Sequence, residues 1–85
     1  MTQDQFQTAK EILEHHGYKV ILSNGHLSMT NKNHEVFRLR YVKDEDIICI
    51  VPVVGYFPAG LIKREFAEVY EVMIDLQING IPVAM

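Results

Sequence analysis

The sequence predicts an α+β domain: an N-terminal helix, a three- to four-stranded antiparallel meander and a long C-terminal helix, with both helices packed on one sheet face. Three observations predict it. Apolar residues recur at three- and four-residue spacing near both ends of the chain. Through the middle they alternate with polar residues, and Asn24-Gly25 stands between two alternating runs as a tight hairpin turn.

In the first helix Phe6, Ala9, Ile12, Leu13 and His16 make the inward stripe, while Gln7, Lys10, Glu11 and Glu14 face away. Thr2 with Gln5 forms a capping box and Gly17 a left-handed stop, which places the helix at about residues 3 to 16. Tyr18, Val20 and Leu22 then alternate with Lys19, Ile21 and Ser23, and Leu27 and Met29 with Ser28 and Thr30, giving two strands of a hairpin. Asn31-Lys32-Asn33 reads as the next turn. Beyond it Phe37, Leu39 and Tyr41 oppose Arg38 and Arg40 on a third strand with one packed and one wet face.

Residues 43–46 form a charged turn, and residues 47–54 are apolar at almost every position, the pattern of a strand covered on both faces. Pro52 has no amide to give a ladder. It must therefore sit at a bulge, at an outward-facing position of an edge, or past the strand's end. Residues 55–60 break the strand. The second helix follows, with Ile62, Phe66, Val69, Tyr70, Met73 and Leu76 on one stripe and Arg64, Glu68, Glu71 and Asp75 on the other, until Asn79-Gly80 ends it. Val72 and Ile74 flank the polar stripe, so the apolar arc is wider than one sheet contact requires.

A chain of 85 residues with 48% hydrophobic and 22% charged composition suits a single domain over residues 1–85. Its formal charge of −3 supplies no general attraction for nucleic acid or anionic lipid. Cys49, the one cysteine, lies in an apolar run and reads as a small buried hydrophobe, which suits a reducing compartment. The start Met1-Thr2-Gln3-Asp4 has no apolar signal region, and no run reaches the roughly 18 apolar residues of a membrane span. A cytoplasmic protein without membrane attachment is the expectation.

No catalytic, metal or cofactor signature withstands a physical check. His15 and His16 point about 100° apart on a helix, and His26 and His34 lack ligand spacing. His16 is expected to close the helix stripe, with the other histidines solvated. Gly55 and Gly60 are spaced as in a phosphate-binding loop, yet Leu61 and Ile62 stand where that loop needs lysine and a hydroxyl. Cys49 has no basic neighbour to activate it, and Ser23 and Ser28 have no glycine elbow.

For nucleic acid, the order helix, three strands, helix is similar to that of double-stranded RNA-binding domains, with Lys63-Arg64 near the start of the second helix. Glu65, Glu68, Glu71 and Asp75 make the rest of that helix repulsive to phosphate, and a fourth strand departs from the pattern, so the family is not assigned. The disfavoured alternative for nucleic acid is a basic sheet face of Lys19, Arg38 and Arg40.

The favoured expectation is a non-enzymatic protein-protein interaction module, an adaptor or an inhibitor of a larger protein whose identity the sequence leaves open. Its candidate contact residues are Tyr56 and Phe57, which are either an exposed anchor pair or a core lid, with Tyr70, Val72, Ile74, Glu68, Glu71 and Asp75 of the second helix. The apolar tail Ile81-Pro82-Val83-Ala84-Met85 must dock on its own sheet or on a copy, the latter giving a two-fold homodimer. A related possibility is an acidic decoy inhibitor of a nucleic-acid-binding protein, as in mobile elements, with Asp44, Glu45 and Asp46 joining the helix acids.

Overall fold

The computed structural model describes residues 1–30 and 34–85, so the expected turn at Asn31-Lys32-Asn33 lies outside the described residues. The elements run α1 (Gln3–His15), β1 (Lys19–Ser23), β2 (His26–Thr30), β3 (Phe37–Val42), β4 (Ile47–Pro52), α2 (Ala59–Ile78) and β5 (Val83–Ala84). The class is α+β with a helix on either side of antiparallel strand pairs, as the two periodicities predict. Two details go further. The meander divides into two hydrogen-bonded sheets, β1-β2 and β3-β4-β5, and β5 runs parallel to β4.

Local chemistry explains the element ends. Thr2 accepts from the Gln5 amide at 3.1 Å while the Gln5 side chain accepts from the Thr2 amide at 2.8 Å, a complete capping box. Both helices stop in the same way: Gly17 and Gly80 turn left-handed, and the next residue bonds back, Tyr18 to the Leu13 carbonyl and Ile81 to that of Leu76, each at 3.0 Å. The residues on both sides of these closures are buried, so each stop also anchors the following chain in the core. Asn24 and Gly25 both have positive φ between the paired Ser23 and His26, as a two-residue hairpin loop of matching twist requires.

In β4 the amides alternate sides: Val53, just beyond the strand, donates to the Val36 carbonyl on the β3 side, and Ile48 to the Pro82 carbonyl on the β5 side. Pro52 shares the parity of Ile48, so its missing amide would point to the β5 side, beyond the reach of the two-residue β5. It therefore takes an exposed edge position and removes no ladder bond. The tail docks in cis as β5. This makes β4-α2-β5 a pair of parallel strands joined by a crossover helix.

The core gathers Ala9 and Leu13 of α1, Val20, Leu27, Leu39 and Ile48 of the strands and Met73 and Leu76 of α2. The expectation that β4 is covered on both faces is not met. Ile48 is buried, but Ile47, Cys49 and Val51, on the face away from the helices, are only half-buried. Cys49 is thus a partly buried free thiol and not the fully buried hydrophobe expected from its run.

Candidate interaction surface and the polar cluster beside it

α2 turns Val69, Val72, Met73 and Leu76 into the core. The stripe expected from the sequence is only partly the buried one, because Ile62, Phe66 and Tyr70 stay outside. With Ile74 and Ile78 they form a run of five large apolar residues at every fourth position, each between 36% and 78% exposed. A four-residue step overshoots a full turn by about 40°, so this run winds off the core face as a continuous ridge. Phe66 anchors it, lying edge-on to Phe37 of β3 at 5.6 Å and stacked with Tyr70 at 5.8 Å.

Of the candidate contact residues, Tyr70 and Ile74 lie on this ridge. Val72 does not, since it is part of the chain's own core. Tyr56 is fully exposed in the connection before α2, whereas Phe57 is half-buried and folds back over Gly55, where an added Cβ would meet the ring at 3.0 Å. The two aromatics therefore separate: Phe57 behaves as a lid on its own loop and Tyr56 projects into solvent.

The helix acids also divide. Glu65, expected among the solvated acids, is 1% exposed. Its Oε1 accepts from the amides of Val36 at 2.8 Å, Glu35 at 2.9 Å and Phe37 at 3.4 Å, and its Oε2 from Glu35 at 3.0 Å. The carboxylate thus closes the entry to β3, where no strand partner among the described residues takes those amides. Burial pushes its pKa up, but the three amides and nearby His34 more than offset this and hold it below the ordinary value.

His34 is buried too, contrary to the solvated expectation. It stacks on Tyr18 with ring centroids 6.0 Å apart and lies between two carboxylates of α2, with Nδ1 3.6 Å from Glu65 and Nε2 3.8 Å from Glu68. Two turns further along, Asp75 meets His16 Nε2 at 2.9 Å, so His16 ends its helix stripe by bonding to α2. Glu68 and Asp75 are therefore engaged within the chain. Glu71 is exposed and forms no ion pair among the described residues.

Lys19, Arg38 and Arg40 are exposed, and Tyr41 is buried on the opposite face of β3, as the alternation predicts. Lys19 belongs to the other sheet, and the Arg38 guanidinium donates to the His34 carbonyl, so the three do not form one basic row. Among the described residues, Asp46 is the one member of the acidic turn whose side chain is engaged: it accepts from the Met1 ammonium and from the Tyr41 hydroxyl at 2.6 Å. These donors lower the Asp46 pKa, the ammonium first. The same Asp46 bond, together with burial, pushes Tyr41 up to about 12.

Among the described residues no group of three or more His, Cys, Asp or Glu is placed to hold a metal ion, and no helix is long and apolar enough to cross a membrane. No family model matches the chain, and neither the curated proteins nor the solved structures compared with it give a significant match. What defines the class of protein is therefore its own geometry: a small α+β domain with an exposed apolar helix face. The residues that sequence reasoning missed are Ile62, Phe66 and Ile78 as surface residues and Glu65 and His34 as buried ones. The signal for the first set was the unbroken four-residue repeat, hidden inside a stripe that looked like core.

Proposed function

We propose that this protein is a non-enzymatic protein-protein interaction module, an adaptor or inhibitor acting in the cytosol, and that it docks through the ridge of α2. One observation carries the reading: five large apolar side chains in succession stand exposed on one helix, flanked by charged residues. Single exposed apolar residues are ordinary, but a contiguous set rimmed by charge is the composition of a protein interface. The ridge also presents aromatic residues at its middle, where interface energy concentrates.

The test is retention of partner protein on immobilised wild type and on Tyr70→Glu, with folding of both verified by circular dichroism. The expected outcome is specific capture that persists as salt is raised and is lost in the folded variant. Capture that is equally strong on Tyr70→Glu, or that disappears with salt, overturns the reading.

A further inference from the structure

Beside the ridge, α2 carries a second row at the same spacing, Ala59, Lys63, Ala67 and Glu71, all exposed. Rows spaced by four residues run along a helix as parallel ridges and grooves. The small side chain of Ala67 makes the middle of this second row a groove beside the aromatic centre of the ridge. A helix that bears a ridge next to a groove of equal pitch is complementary to itself turned end over end. The charges obey the same symmetry: Lys63 and Glu71 stand one turn on either side of Ala67, opposite in sign, and neither has an ion-pair partner among the described residues.

We propose that the occupant of the ridge is a second copy of this chain. Two α2 helices cross in antiparallel sense at Ala67 about a two-fold axis, the ridge of each in the groove of the other. Lys63 of each copy then faces Glu71 of the other, a pairing that symmetry repeats on both sides of the axis. Charge complementarity supports this occupant and fixes its direction: about Ala67 the unpaired Lys63 and Glu71 are complementary to their own copy in the antiparallel sense, whereas the parallel sense sets Lys63 against Lys63 and Glu71 against Glu71. This inference rests on the reading of α2 as the docking element and names what docks there.

The experiment is sedimentation equilibrium over a range of concentrations for wild type, Ala67→Trp, Lys63→Glu, Glu71→Lys and an equimolar mixture of the last two. All three positions are exposed, and circular dichroism checks that each variant is folded. Wild type should dimerise, Ala67→Trp should be monomeric, and each charge reversal should raise the dimer dissociation constant about ten-fold, since it creates two like-charge contacts at once. The mixture should recover dimer, because Lys63→Glu and Glu71→Lys chains together restore opposite pairs at one side of the axis and leave the other side matched with exchanged signs. A wild type that stays monomeric overturns the self-pairing, and if it still captures another protein in a Tyr70-dependent way, the docking role of α2 stands. A dimer indifferent to Ala67→Trp and to both reversals also overturns the proposal.

Discussion

Replacing Glu65 with alanine removes the acceptor for three backbone amides that no strand neighbour among the described residues takes. The Val36 amide is buried, and leaving it unpaired costs roughly 1–3 kcal/mol; the amides of Glu35 and Phe37 are partly buried and add less. With the cavity left behind, the loss is about 3–5 kcal/mol, against a total of roughly 4–13 kcal/mol for a domain of this size. Glu65→Gln keeps one acceptor oxygen but turns an NH₂ group toward a donor amide, and should lose about 1.5–3 kcal/mol. Urea unfolding followed by circular dichroism reads both values.

The pH dependence supplies a second reading of the same bond. The folded pKa of Glu65 lies below the ordinary 4.5, so its stabilisation is complete above 4.5 and is lost as pH falls through the folded value. The gap in stability between wild type and Glu65→Gln should therefore narrow as pH drops below 4.5. A loss under about 1 kcal/mol for Glu65→Ala would refute the argument that this carboxylate closes β3.

Tyr41 gives an alkaline counterpart. With its pKa raised from 10.0 to about 12, one of the four tyrosines should ionise late in a spectrophotometric titration, and Asp46→Asn should bring it back toward 10. Because the folded value is the higher one, the stability it carries is intact below 10 and declines as pH rises toward 12. Pro52→Ala should change stability by no more than about 1 kcal/mol, since no ladder bond is gained on the open side of β4; a larger gain in unfolding midpoint would contradict the edge placement.

Features that depend on neighbours in sequence were legible without a structure. The capping box at Thr2, the stop at Gly17 and the turn at Asn24-Gly25 each involve a few consecutive residues whose conformational preferences agree. Distant pairings were less so. Nothing near Glu65 announces that the free amides of residues 35–37 will meet it, and on sequence pattern it belongs with Glu68 and Asp75. The apolar arc of α2 had the same ambiguity: Val72 looked like a flanking surface residue and Phe66 like core, because a wide arc does not reveal which side meets the sheet. The tail presented the choice between cis and trans docking, which its hydrophobicity alone could not decide and the parallel register Ile48 with Val83 does.

That parallel register has a mechanical consequence for α2. The helix leaves β4 through residues 53–58 and returns to the same strand through β5, so both of its ends are tied to one fixed strand. It is a strut held at two points and not a lever hinged at one. A partner, whether a copy or another protein, meets a backbone template that is already in place, so that beyond the rigid-body freedom every association loses, the ordering cost falls on the ridge side chains and not on the helix backbone.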